Sequence, residues 1–343
     1  MKKIIGLINV VLIVTIKNMN LLKLENLSVK FKSKKSLKDL FKNIELDAVI
    51  DTSFTIKKNK TFGIVGESGS GKTTIAKTIL GLHTSLIGKL NFNNQEIDLS
   101  KKYRDKNFRK DVSMIFQDSA GSLSPRIKVK HLIGEPFRIN KINNLNLKNE
   151  VNQLIKSVGL SSDFLDRYPH ELSGGQAKRI CIARAIALKP KLLIADEPTA
   201  GLDVSVQGEI LNLLKSIQNI HGMSILIISH NLNVIRHITD ELTVMYFGKI
   251  MERGDSEKIF KSPKHPYTQA LISLIKKPDI DRKNQKIELK GEVPSIFERK
   301  SGCVFSSRCQ NPSHSCKNGN IENKLIKYDE NHWVDQCCIN CNS

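Results

Sequence analysis

The sequence predicts an α/β fold built around a parallel sheet, and three stretches of the chain carry that prediction. Residues 62–65 form an apolar run that leads into a glycine-rich turn and then into a helix-like segment over 74–80. Residues 192–195 and 224–229 are short, continuous apolar runs, as expected for strands that are buried on both faces of a parallel sheet. Such strands, alternating with helical segments, are typical of a doubly wound α/β core.

The part of the chain before this core is predicted to be rich in β-strands. Apolar and polar residues alternate over 22–29, which indicates a half-buried strand. Residues 48–50 and 53–56 indicate another strand that leads toward the glycine-rich turn. The lysine-rich tract between the two strands is predicted to be a solvated loop.

Composition limits the function without deciding it. The 343 residues are 26% charged and 40% hydrophobic, an ordinary globular balance. The net charge of +20 suits nucleic acid, an anionic membrane face or simple solubility. Of the seven cysteines, six follow residue 300. The odd total argues against a secreted disulfide scaffold. In a reducing compartment, the clustering of the other six favours metal or iron–sulfur binding.

The N-terminal residues 1–20 are predicted to be an extension outside the fold. The apolar run over 4–16 has thirteen residues, fewer than the roughly 20 that a membrane-spanning helix needs. No signal-peptide cleavage site follows it. We expect the native chain to start at Met19, and the alternative is an anchor that lies on a membrane surface.

The glycine-rich turn fits the phosphate-binding pattern G-x-x-x-x-G-K-[ST] in the strand–loop–helix context that this pattern requires. The predicted nucleotide-binding residues run Gly66-Glu67-Ser68-Gly69-Ser70-Gly71-Lys72-Thr73-Thr74. Glycines let backbone N–H groups converge on an anion at a helix N-terminus. Lys72 can reach the β- and γ-phosphates, and the Thr73 hydroxyl can ligate Mg²⁺.

Two acids end the apolar run at 192–195. An acid at the carboxyl end of a strand beside a phosphate loop can hold Mg²⁺, and we assign this role to Asp196. Glu197 follows it and can act on the attacking water as a general base.

A second glycine-rich helix start lies at residues 172–176. It reads Leu172-Ser173-Gly174-Gly175-Gln176, and a helix is predicted over 177–188. Ser173 is a predicted N-cap, and such a helix start is a second anion site. Two phosphate-binding helix starts in one chain indicate composite sites, to which each of two subunits contributes half.

In this order along the chain, the motifs resemble those of ABC-transporter nucleotide-binding subunits. The resemblance implies a P-loop NTPase fold with a parallel core sheet, an N-terminal antiparallel β subdomain and a helical subdomain. It implies that Gln117 senses Mg²⁺ and nucleotide, that Asp203 lies at a dimer seam and that His230 contacts the γ-phosphate. Phe31 is expected to stack on adenine, although core packing is an alternative for it.

The resemblance also implies the domain organisation. An ABC ATPase domain is expected over 21–262, with its helical subdomain at about 118–184. A small C-terminal extension is expected over 263–343, where prolines and a polar segment change the composition.

The chain resembles oligopeptide and dipeptide importer ATPases at residues 119–126 and, within the C-terminal extension, at 264–268, 291–295 and 302–309. In that branch four cysteines can hold a [4Fe–4S] cluster. The matching positions are Cys303, Cys309, Cys316 and Cys337. Four thiolates also suit zinc, as does the C-x-x-C formed by the additional Cys338 and Cys341.

The resemblance therefore implies an ATP- and Mg²⁺-dependent ATPase subunit that drives peptide uptake. Its expected partners are a second ATPase subunit, usually a sister chain, two transmembrane permease subunits and an extracytoplasmic substrate-binding protein. It would act at the cytoplasmic face of the inner membrane. Nickel or glutathione uptake is an alternative within transport. Outside transport, the alternative is a soluble ATPase that acts on nucleic acid. For the transport subunit itself, no specific nucleic-acid partner is expected.

Overall fold

The computed structural model describes residues 20–33, 44–118, 121–142, 146–275, 287, 289, 291, 294–299, 302–319 and 323–336. The predicted N-terminal extension, apart from residue 20, lies outside these ranges. The described strands are β1 (Asn20–Ser33), β2 (Ile44–Lys57), β3 (Thr61–Val65), β4 (Ile87–Phe92), β5 (Gln95–Ile97), β6 (Val112–Ile115), β7 (Leu192–Asp196), β8 (Ser224–Ser229), β9 (Glu241–Tyr246), β10 (Lys249–Asp255), β11 (Leu325–Asp329) and β12 (His332–Asp335).

Helices connect and cover these strands. The described α-helices are α1 (Lys72–Ile79), α2 (Lys106–Asp111), α3 (Val129–Ile139), α4 (Leu147–Ser157), α5 (Gly174–Ile186), α6 (Val204–His221), α7 (Leu232–Ile238), α8 (Ser256–Lys261), α9 (Pro266–Ser273) and α10 (His314–Lys317). Helices α3, α4 and α5 pack against one another. No helix in the described part of the chain is long and apolar enough to cross a membrane.

The strands form two sheets. The first is antiparallel, in the order β2-β1-β4-β5, and the second has the order β11-β12-β10-β9-β3-β8-β7-β6. Strands β9, β3, β8, β7 and β6 run parallel, whereas the other three pair antiparallel. The predicted parallel core and β-rich front are confirmed. The two segments predicted as the second front strand belong to the single long strand β2.

The parallel strands are buried on both faces, as their continuous apolar runs predict. In β8, Ile225 and Ile227 pack on the side of α5, α6 and α7. Leu226 and Ile228 pack on the opposite side, with the antiparallel sheet and α1. Because side chains alternate along a strand, one apolar run supplies both clusters. Each fully buried Leu or Ile contributes about 1.5–3 kcal/mol of transfer free energy.

The C-terminal strands extend the core sheet, because β12 pairs with β10. The carboxylate of Glu252 in β10 is fully buried and accepts three hydrogen bonds at this junction. The donors are the N–H groups of Lys264 and His265, each at 2.9 Å, and Nε2 of His332, at 2.7 Å. One carboxylate therefore ties β10, the start of α9 and β12 together.

We expect Glu252→Ala to destabilise the fold by about 3–5 kcal/mol, because it leaves buried donors without their acceptor. Chemical unfolding of the full chain measures this free energy. The control is Glu257→Ala, which removes an exposed partner of Lys261 and should cost less than about 0.5 kcal/mol. Equal effects of the two changes would contradict a central role for Glu252.

Candidate functional site: a phosphate loop at the end of the parallel sheet

The phosphate loop leaves the sheet at the end of β3 and enters α1. Gly71 has a φ of 97°, in the left-handed region that favours glycine. A Cβ there would lie 2.6 Å from the carbonyl oxygen of Ala48. A Cβ at Gly66 would lie 2.1 Å from the carbonyl oxygen of Met245. Both glycines are therefore required by close backbone approaches. The helix after the loop begins at Lys72, two residues before the predicted helix-like segment over 74–80.

The ammonium group of Lys72 occupies the centre of the loop. It donates hydrogen bonds to the carbonyl oxygens of Gly66, at 2.7 Å, and Glu67, at 2.8 Å, and to Oγ of Ser70, at 3.2 Å. Burial lowers the pKa of Lys72, and the nearby carboxylates of Glu197, Asp196 and Glu67 oppose that shift. The lysine is thus a buried cation at an anion-binding turn.

The two acids after β7 have different surroundings. Asp196 is 1% exposed; burial raises its pKa, and a hydrogen bond from Thr73 opposes the shift. Its Oδ1 is buried without a hydrogen-bond partner. A buried carboxylate oxygen without a donor, beside a threonine hydroxyl, is a fitting ligand set for Mg²⁺.

Glu197 is held by the residues that follow β8. Its Oε1 accepts hydrogen bonds from the backbone N–H of His230, at 2.8 Å, and lies 2.7 Å from Nδ1 of the same residue. Its Oε2 accepts a bond from Oγ of Ser229, at 3.2 Å. Glu197 has a positive φ of 49°, a backbone conformation that is uncommon outside glycine and that clusters at functional sites.

The phosphate loop and Glu197 meet at one cavity of about 600 Å³, and Asp196 is not among its lining residues. Its lining includes the whole predicted loop, from Gly66 to Thr74, together with Gln117, Glu197 and His230. The structure therefore brings together residues that are far apart in the sequence. Their arrangement can bind a polyphosphate and place a carboxylate next to it.

Comparisons with known proteins agree with this geometry. The family model described as ABC transporter matches residues 49–200, and the model described as oligopeptide/dipeptide transporter, C-terminal region, matches residues 251–316. The oligopeptide transport ATP-binding protein OppF of Haemophilus influenzae is 42% identical over 86% of this chain and 91% of its own length. AppF of Bacillus subtilis, also named an oligopeptide transport ATP-binding protein, is 44% identical over 80% of this chain and 84% of its own.

The chain belongs to the ABC-transporter ATP-binding proteins of the oligopeptide/dipeptide type. Solved structures agree on the fold of this family. CbiO1 of Clostridium perfringens, part of the ABC transporter complex cbiONQ, is 26% identical and has a TM-score of 0.59 over 71% of this chain and 91% of its own. The ATP-binding cassette MJ0796, bound to ADP and phosphate, has a TM-score of 0.59 at 24% identity, over 68% of this chain and 98% of its own.

Residues 172–176, the second glycine-rich helix start, form a string that lies outside the cavity lining of this ABC ATP-binding protein. Ser173 caps α5, because its Oγ accepts the N–H of Gln176 while the Gln176 side chain accepts the N–H of Ser173. This confirms the predicted N-cap, and the helix begins at Gly174 rather than at residue 177. A Cβ on Gly175 would lie 2.9 Å from Cγ1 of Val206, so the string packs against the start of α6.

Asp203 caps the neighbouring helix α6. Its Oδ1 accepts bonds from Oγ of Ser205, at 2.6 Å, and from the N–H of Val206, at 3.0 Å. These hydrogen bonds lower the pKa of Asp203. The string thus packs against the start of the helix that Asp203 caps, and neither the string nor Asp203 lines the cavity.

Phe31 is not brought to the cavity. Its ring contacts His83 edge-on, with centroids 5.0 Å apart, and packs against the core beneath the antiparallel sheet. These contacts agree with the alternative of core packing. Ala48, Leu271 and Leu274 line the cavity although the sequence did not indicate them. Two of these three come from α9 and its C-terminal end, and only the tertiary fold brings them there.

The cysteines give no support to a metal centre in the described residues. Cys303 and Cys316 are buried, and the N–H of Cys303 donates to the Cys316 carbonyl at 3.4 Å. Cys337, the fourth predicted ligand, lies outside the described residues, as do the additional Cys338 and Cys341. Within the ranges that the structure covers, no three His, Cys, Asp or Glu side chains form a group that could hold a metal ion.

We expect Asp196→Asn to stabilise the protein at neutral pH in the absence of nucleotide, by about 1 kcal/mol, because it removes a buried charge without a full set of donors. The raised pKa of Asp196 means that the folded state holds this proton more tightly than the unfolded state does. The wild type therefore loses stability, relative to the variant, as the pH rises from below the ordinary aspartate pKa to above the raised one.

Thermal unfolding at neutral pH and near pH 3 measures this difference. The advantage of the variant should be present at neutral pH and absent in acid. Asp163→Asn, at an exposed aspartate, is the control and should show no such dependence. A variant that is less stable than wild type at neutral pH would contradict the expectation.

Proposed function

We propose that this protein is the ATP-hydrolysing subunit of a peptide importer and that its cavity holds the triphosphate of ATP. The observation that carries the proposal is the meeting of the phosphate loop with Gln117, Glu197 and His230 at one cavity. Lys72 and the N–H groups of the loop stabilise the charge that develops on the γ-phosphoryl group. The protein contributes mainly position and electrostatics to this reaction.

The residues present fit Mg²⁺. Thr73, Gln117 and Asp196 are the proposed ligands, and the partnerless oxygen of Asp196 supports this assignment. When bound, the ion neutralises phosphate charge.

Glu197 is the proposed general base. Its carboxylate accepts a proton from the water that attacks the γ-phosphorus, while the bond to the leaving ADP oxygen breaks. His230 donates its backbone N–H to that carboxylate and lies within hydrogen-bond distance of it through Nδ1. The same ring lines the cavity, so we propose that it also contacts the γ-phosphate.

The site is proposed to be completed by a second subunit. Residues 172–176 and Asp203 lie at the N-termini of two helices, α5 and α6, that pack together at Gly175 and Val206, and they are outside the lining of this chain's cavity. A helix N-terminus favours phosphate. We assign these two helix N-termini to the nucleotide of a partner ATPase, either a second copy or a sister chain. Phe31, given its contacts, is not proposed as the adenine platform.

A groove beside the nucleotide cavity is the proposed contact with the permease. It has a volume of about 600 Å³ and lies between α2 and β6 on one side and α3 and α5 on the other. Phe116, which precedes Gln117, and Ile139 line it and are 40% and 70% exposed. Movement of Gln117 with nucleotide would therefore reach the groove directly.

Peptides are the proposed cargo, because the relatives that match most of the chain are named oligopeptide transport ATP-binding proteins. Two permease subunits and an extracytoplasmic binding protein would complete the importer, with this subunit at the cytoplasmic face of the membrane. These names favour peptides over nickel, glutathione or nucleic acid. The [4Fe–4S] or zinc centre at the cysteines stays a prediction and enters no step of the reaction.

We expect Glu197→Gln to retain ATP binding and to lower the rate of hydrolysis by about 100-fold or more, because it removes the proton acceptor. Phosphate release and nucleotide binding are measured on the full chain. Glu96→Gln, at an exposed residue of β5, is the control. Hydrolysis by Glu197→Gln at the wild-type rate would refute the general-base role.

We expect Lys72→Ala to weaken ATP binding by about 2 kcal/mol, or roughly 30-fold, because it removes charge-assisted hydrogen bonds to phosphate. Equilibrium titration with a non-hydrolysable ATP analogue measures the affinity. Lys77→Ala, on the same helix but outside the cavity lining, is the matched control. Unchanged affinity in Lys72→Ala would refute the proposed role of Lys72 in binding the phosphates.

A further inference from the structure

Glu67, the second residue of the phosphate loop, is held by an arginine from the far end of the chain. Nη1 of Arg308 donates to Oε2 of Glu67 at 2.6 Å, and Nη2 donates to Oε1 at 3.2 Å. The arginine side chain is 6% exposed, whereas that of Glu67 is 26% exposed. Two parallel bonds between a planar guanidinium and a carboxylate fix both orientation and charge.

The segment that carries Arg308 is anchored in the core. The ring of Phe305 lies 5.3 Å from that of Tyr246 and 5.5 Å from that of Tyr267, and Phe305 is 1% exposed. Oη of Tyr267 in turn accepts the backbone N–H of Glu67 at 3.0 Å. Residues after 262 therefore hold Glu67 by both its side chain and its backbone.

The charge at the cavity explains why this contact matters. Glu67 and Glu197 line the cavity, and Asp196 accepts a hydrogen bond from the lining residue Thr73. Lys72 is the only lysine or arginine among the described lining residues. ATP adds further negative charge, and like charges at close range repel. A bound magnesium ion would neutralise the negative charge of Asp196. The cation opposite Glu67 is Arg308.

We propose that Arg308 is a positioning residue for the phosphate loop, and that it sets ATP affinity by neutralising Glu67 and fixing the second residue of the loop. The C-terminal extension thereby controls nucleotide binding. This inference rests on the proposed role of the loop as the ATP phosphate site. Arg308 acts through Glu67 and does not itself line the cavity.

The test is a double-mutant cycle on the full chain, with Mg²⁺ and a non-hydrolysable ATP analogue titrated into each variant. Arg308→Gln should weaken binding about tenfold, because it leaves the Glu67 carboxylate uncompensated beside the phosphates. The same change on a Glu67→Gln background should cost less than about threefold, because no charge is left to compensate. A loss of the same size on both backgrounds would overturn the proposal, since a merely structural role does not depend on the charge of Glu67.

Arg253→Gln is the matched control. Arg253 also joins the extension to the core, since it stacks on Trp333 of β12 and donates to the carbonyl of Ser53 at 2.6 Å. It has no contact with Glu67 among those described. Its replacement should leave ATP affinity within about twofold of wild type. An equal loss in Arg253→Gln and Arg308→Gln would attribute the effect to general loosening of the extension and overturn the inference.

If Arg308→Gln is too unstable to titrate, Arg308→Lys supplies the test. Lysine keeps the charge and loses the two-point contact, so binding should stay within about threefold of wild type. A tenfold loss there would overturn charge neutralisation. The wild-type titration separates the two proposals, because absent binding to wild type would refute the nucleotide site itself. Wild-type binding that Arg308→Gln leaves unchanged would refute only the role of Arg308.

Discussion

The parallel register of β3, β8 and β7 is the constraint on which the rest of the site depends. Val65 pairs with Ser229, and Asp196 pairs with Ile228. The three strands therefore end at the same level of the sheet, and the chain leaves them at the phosphate loop, at Glu197 and at His230. Ligands bind at the carboxyl ends of parallel strands in open α/β sheets. A shift of one residue in this register would move the carboxylate away from the loop and turn each buried side chain to the other face.

The register is held by apolar packing on both faces, and the C-terminal extension is part of that packing. Phe305 and Val334 belong to the same cluster of buried residues as Ile225 and Ile227 of the core sheet. The carboxylate of Glu252 fixes the junction by hydrogen bonds. The extension is thus continuous with the ATPase core through both a sheet and a hydrophobic cluster. Its contact with the phosphate loop therefore comes from a segment whose position is fixed by the core.

Local signals predicted β1, β2, β3, β7 and β8, the phosphate loop and the N-cap of α5, because each depends on residues close in sequence. A four-residue apolar run is sufficient to predict β7, and a serine before a helical segment is sufficient to predict the N-cap at Ser173. The lining residue Leu271 and the cation Arg308 could not be found in this way. Each reaches the site only because α9 and the segment after 302 fold back over the sheet. For Phe31, the local sequence fits both adenine stacking and core packing, and only its contact with His83 favours core packing.

The phosphate loop provides hydrogen-bond acceptors for its own lysine. The ammonium of Lys72 donates to three oxygens of the loop, so its burial leaves no strong donor unmatched. ATP bound at the proposed site would exchange these bonds for bonds to phosphate, and its affinity would arise from the difference between the two sets. That difference is small unless the surrounding charge favours the phosphates. The acids at the strand ends and Glu67 of the loop oppose them, so the balance depends on cations in addition to Lys72. Arg308 is one such cation, and it comes from the extension rather than from the nucleotide-binding motifs.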